Sequence, residues 1–240
     1  MTLLTVVRDV CAAVGVEIPT SVFASLNANR TMQEMLALAN EMAQRMASDT
    51  KDWTALKTWA TLAGDGVATS FLLPADYKRM PATANVWVSN YTQAAARFIP
   101  NTDEWLKRRA SNATTFASEW TMIGGRMHIW PAMAAGVTAQ FVYLSKDCVR
   151  LASGGFGSEF MDDADSYVLD ERLLRLNMVW QWKSQKGSPY AEDMGTYTDA
   201  LAVATGSDSP AAIIAGNLPI SANARVAYPF SVTGPDWPLT

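Results

Sequence analysis

The stretch that most constrains this chain runs from Asp162 to Thr205, where two helical repeats of apolar residues meet at Lys186-Gly187-Ser188-Pro189. A basic last turn followed by glycine and then proline ends a helix, because glycine accepts the left-handed backbone and proline cannot continue the ladder. The first helix is expected to begin near Asp170, with acids at its positive pole and Lys183 and Lys186 at its negative one. Leu173, Leu176, Met178, Trp180 and Trp182 spread over too wide a surface for one neighbour to cover. The second helix, from about Tyr190 to Ala204, repeats Met194, Tyr197, Leu201 and Ala204 on one side. Such a hairpin needs further partners. Leu173, Leu176, Trp180, Trp182, Tyr197 and Leu201 are therefore expected in a bundle core or in an interface between subunits.

The rest of the chain divides by texture. Residues 2 to 14 carry Leu3, Val6, Val7, Val10 and Val14 at helical spacing ahead of Gly15. Thr31 and Glu34 have capping-box spacing, and Met32, Met35, Leu36, Ala39, Met42, Ala43 and Met46 follow on one face. A methionine stripe more often fills core gaps than lines a groove. Asp52 to Leu56 adds a helical turn. From Thr58 to Ser145 short strands dominate: Val67 to Leu73 closed by Pro74, Asn85 to Val88, a hairpin from Trp120 to Trp130 turning on Gly124-Gly125, and an alternating strand from Val137 to Tyr143. Among them Thr102 to Ala110 reads as one helix.

The fold class expected is α+β. Helices from residues 1–57 and 161–205 form a bundle, residues 58–160 are an inserted, mainly antiparallel β domain, and 206–240 is an extended docking tail. Pro210, Pro219, Pro229, Pro235 and Pro238 break any regular element in that tail. Its Ile213, Ile214, Leu218, Val226, Tyr228 and Phe230 are too apolar for a solvated linker. They are expected to dock on a neighbour or wrap their own subunit.

Little in the sequence points to chemistry. At 240 residues and 49% hydrophobic the chain can build a core, and its net charge of -4 disfavours a broad grip on phosphates. No apolar run approaches the roughly 20 residues that span a bilayer, and Met1 to Val7 does not resemble an export signal, so a soluble, unexported protein is expected. Cys11 and Cys148 read as buried reduced thiols. His128, the single histidine, alternates with apolar neighbours as on a strand surface, and no Gly-x-Ser-x-Gly elbow accompanies it. Gly154-Gly155-Phe156-Gly157 lacks the context of a phosphate loop and reads as a flexible connection. Asp162, Asp163 and Asp165 lack EF-hand spacing and read as electrostatic support for the helix that follows. Lys107, Arg108 and Arg109 match a helix dipole, and Glu171 with Glu192 has no fixed separation on which to base glycoside hydrolysis. No catalytic, metal or cofactor site is expected.

Five segments occur in order: Asp52-Trp53-x-x-Leu56, Phe71 to Arg79, Ile123 to Pro131, Phe141 to Lys146, and Trp180 to Ala191. Together, over roughly residues 1 to 205, they resemble the head-to-tail adaptor proteins of tailed bacteriophages. That resemblance implies a non-enzymatic virion protein at the neck, assembled in the host cytoplasm as a ring of about twelve copies beneath the portal. The helical part would build the ring, the C-terminal segment would reach the portal protein, and a tail or nozzle protein would bind below. DNA would pass through without specific binding, since neutral or acidic walls repel phosphate. The competing expectation is a tail or receptor-binding module whose Trp87, Trp120 and Trp130 stack on host glycan. A lytic enzyme ranks third.

Overall fold

The computed structural model describes residues 1–26, 29–89, 95–111 and 118–208, all within one unit, Met1–Ser209. The first helix, α1 (Leu3–Val14), buries Leu3, Val6, Val7, Val10 and Cys11 and ends where Gly15 turns left-handed at φ 75°. Helix α2 (Arg30–Arg45) buries Met32, Met35, Leu38, Ala39, Met42 and Ala43, so the methionine stripe is core. Its cap is Asn29 rather than Thr31. The Asn29 Oδ1 accepts the Thr31 N–H at 2.9 Å, leaving Glu34 to pair with Arg30 at 3.0 Å and with Lys186 at 2.6 Å. A wide turn over Met46–Thr50 and a short tight one over Thr54–Leu56 follow, with Trp53 and Leu56 buried.

The strands come next. They are β1 (Lys57–Ala63), β2 (Ser70–Leu72), β3 (Tyr77–Arg79), β4 (Val86–Val88) and β5 (Arg97–Phe98), then helix α3 (Thr102–Ala110). After α3 run β6 (Glu119–Ile123), β7 (Arg126–Trp130), β8 (Thr138–Ser145), β9 (Val149–Arg150), β10 (Phe156–Gly157) and β11 (Ser166–Tyr167). The chain's last described helices are α4 (Glu171–Gln185) and α5 (Ala191–Ser207). Strand β8 is central to one sheet, paired along its length with β1 and on its other side with β3 and β4. A second sheet has the order β2-β7-β6-β5, and a small third one the order β10-β9-β11. The β6–β7 hairpin turns on Gly124 and Gly125 at φ 59° and 71°, the paired positive values that match the twist of the strands.

Three expectations change here. Strand β1 escaped the sequence reading because its largest side chain, Trp59, faces out while small Ala60 faces in. The strand expected from Val67 starts only at Ser70, since the Asp65 carboxylate accepts the N–H groups of Val67 and Ala68 and folds them into a turn. The glycines at 154 and 155 are no slack connection but a tight turn at φ 101° and 83° that feeds β10 back onto β9.

The protein is thus a mixed α+β structure with two apolar cores. One takes buried residues from Leu3 to Leu56 and from Leu144 to Trp182, the other from Ala60 to Tyr143. Adjacent residues of β8 belong to different cores, Tyr143 to the second and Leu144 to the first, and β3 carries a bulge opposite Leu144 and Ser145.

The acids before α4 bond backbone rather than lean on a dipole. Asp165, 1% exposed, accepts the N–H groups of Ala152, Met161 and Asp162 at 2.6 to 2.8 Å. Asp163 Oδ1 accepts those of Val22 and Phe23. Thr2 makes no side-chain cap on α1, so the carbonyls of Asp165 and Asp163 take the free N–H groups of Leu3 and Leu4 instead. Replacing Asp165 by alanine strands three N–H groups, and the expected loss is about 3 kcal/mol or more, read as a lower midpoint in urea denaturation. An unchanged midpoint would refute this role for the loop.

Candidate functional site

The α4–α5 hairpin forms as its ends dictate. Asp170 accepts the Arg172 N–H at 2.8 Å to start α4, and Gly187 at φ 69° stops it. Leu173 and Trp182 are buried, with Leu174, Met178 and Val179, while Leu176 and Trp180 are half-buried. Trp180 sits 6.3 Å from the Tyr190 ring and 6.2 Å from that of Tyr197, its indole N–H buried without an acceptor among the described residues.

Helix α5 differs from the others in that none of its residues is fully buried. Tyr197, Ala200, Leu201 and Ala204 lean half-buried on the first core. Salt bridges from Lys183 to Asp193 at 2.6 Å and from Lys51 to Asp208 at 3.3 Å hold its two ends, and Asp208 also accepts the Thr54 N–H. Gly195, Asp199, Ala202 and Gly206 follow one another at i, i+4, i+7 and i+11 along the exposed side. Val203, 73% exposed, flanks them.

A second uncovered face lies on the β8 sheet. On β1 the alternation turns Lys57, Trp59, Thr61 and Ala63 outward, and Trp59 is 75% exposed. The register sets Trp59 beside Val142, then Thr61, Gln140 and Trp87 in one row across three strands. Val142 and Trp87 are exposed as well. At Leu144 the same face runs under the first core.

Of the three tryptophans considered for sugar stacking, Trp87 alone is open. Trp120 is 7% exposed and packs on Phe98 at 4.6 Å, and Trp130 lies beneath the Arg109 guanidinium at 4.3 Å. The basic run of α3 is equally engaged: Arg108 bonds Glu104 and Glu119 at 2.7 and 2.6 Å, while Lys107 is exposed. His128 is half-buried on β7, opposite Thr121 and Ser70. Glu171 pairs with the N-terminal ammonium at 2.6 Å, and Glu192 stands exposed in the first turn of α5.

A partly polar cleft of about 400 Å³ is lined by Leu56, Thr58, Asp76, Ser145, Asp147 and Phe156, among others. The Tyr143 hydroxyl donates to both Asp76 oxygens at 2.9 and 3.0 Å, and burial, then that carboxylate, pushes the phenol up to about 12. Burial and the Asp76 charge raise the Asp147 carboxyl. Among the described residues no cluster of three or more His, Cys, Asp or Glu could hold a metal. Both thiols are buried, Cys148 pushed by desolvation up to about 11.

Ile213, Ile214, Leu218, Val226, Tyr228 and Phe230 lie outside the described residues. Among those described, no helix is long and apolar enough to cross a membrane. No protein-family model matches the chain, and no curated protein does.

The acid pair yields a pH prediction. With its folded value above the ordinary 3.8, Asp147 weakens the fold once ionised, so its contribution is intact below that pH and lost as pH rises through the folded value. Asp147→Asn should therefore raise the urea midpoint at pH 7, and the gain should vanish below about pH 4.

Proposed function

We propose that this chain is a structural subunit of a phage neck, a head-to-tail adaptor that forms a ring under the portal and continues the DNA channel towards the tail. The observation carrying this reading is α5, a helix of 17 residues with none fully buried. A helix of that length earns most of its stability from a covered face. Its half-covered state is what a subunit designed to be completed by neighbours requires. The five segments that carry the resemblance fall on a buried Trp53 turn, the β2–β3 connection, the β6–β7 hairpin, β8, and the α4–α5 corner.

The finer architecture belongs to the same proposal. Helices from the chain's two ends build the ring-forming bundle, the sheets are inserted, and the tail from 206 onward reaches the portal protein through Ile213, Ile214, Leu218, Val226, Tyr228 and Phe230. The ring has about twelve copies, a closed number reached by repeating one head-to-tail contact. A tail or nozzle protein binds below. DNA slides past without specific contacts, no bond is made or broken, no cofactor is needed, and the protein resides in the virion after assembly in the bacterial cytoplasm.

The test is to mix the chain with portal protein and image the product. Rings of this protein on the portal are expected; no complex with the full chain overturns the adaptor reading. A chain ending at Ser209 keeps Asp208 on Lys51 and Thr54, whereas a stop at Gly206 would remove that anchor. The Ser209 version should keep its circular dichroism and lose the portal, and retained binding would discard the tail's role.

A further inference from the structure

We propose that the outer side of α5 in one copy seats on the Trp59–Trp87 sheet face of the next copy. The inference rests on the ring reading and names the two surfaces that would close it. Three properties of the faces match. In shape, the sheet presents two exposed indoles as knobs, Trp59 and Trp87, with Val142 between strands. The helix presents Gly195, Ala202 and Gly206, and a Cβ added at either glycine would meet nothing within 4 Å. Glycine inside a helix weakens it, and no packing within the subunit requires one at these two positions. A neighbour's indole lying against the helix backbone supplies the reason for a bare surface there.

In charge, the faces are complementary. The outward residues of β1, β4 and the middle of β8 include one ionised group, Lys57. The outward side of α5 carries Glu192 and Asp199, and the helix contains no lysine or arginine. In symmetry, a helix meeting a sheet is a contact between two unlike patches. Such contacts propagate head to tail and close into rings, whereas a self-complementary patch stops at a dimer.

Two single variants of the full chain, Thr61→Cys, which lies between the two indoles on the same face and leaves both in place, and Ala202→Cys, carrying different tags, are mixed and oxidised, alone and with portal present. The native Cys11 and Cys148 are buried and stay out of the reaction. The expected product is a disulfide dimer holding one of each variant, several-fold above either like-with-like dimer. Lys57→Glu in the first partner should cut its yield several-fold, and Asp199→Lys in the second should restore it. A statistical mixture of all three dimers, or none, overturns the pairing. Rings on the portal without the mixed dimer would sink this contact and leave the adaptor reading standing. The mixed dimer without portal binding would do the reverse, and failure of both removes both.

Discussion

One buried carboxylate shapes the junction between the N-terminal helix and the lead-in to α4. Asp165 gathers three backbone N–H groups into a turn, and that turn aims two carbonyls at the uncapped start of α1 while Asp163 ties down residues 22 and 23. A carboxylate so enclosed is tolerated because both of its oxygens accept from backbone N–H groups. Without it, α1 would lack a cap and the lead-in to α4 would lack a fixed path. The first core, assembled from residues on both sides of that junction, is tied together there by backbone hydrogen bonds.

Much of the helical part is legible in the sequence because helix ends are written in local chemistry. Gly15, Gly187 and Asp170 act where their types predict, and Thr102 to Ala110 is the helix expected. The errors share a cause. Asn29 displaced Thr31 as a cap, Asp65 shortened a strand, and Asp163 and Asp165 reached backbone far away, all because small polar side chains choose among several nearby N–H groups. Burial was less legible still. Trp59 reads as core by hydrophobicity, yet it is among the most exposed large side chains, whereas Trp120 and Trp130, open only in the competing glycan reading, are covered. Which face of a sheet receives a second layer is decided by chain crossings that no local window contains.

The surfaces left uncovered are of two kinds. On α5 the row from Glu192 to Gly206 is small or acidic, with Val203 exposed beside it; on β1, β4 and the middle of β8 the exposed side chains include Trp59, Trp87 and Val142 with one lysine, Lys57. Neither is a pocket with converging donors, and the cleft holding Asp76 and Asp147 commits one of its acids to a phenol.

Strand β8 gives the molecule a mechanical character. Tyr143 and Leu144 are rooted in different cores while the β1 ladder runs alongside both, so a pull along the strands loads that whole row of hydrogen bonds in shear. Peeling would break them singly at low force. Shear spreads stress over the whole ladder, so a load along the strands is shared by all of its hydrogen bonds rather than falling on one at a time.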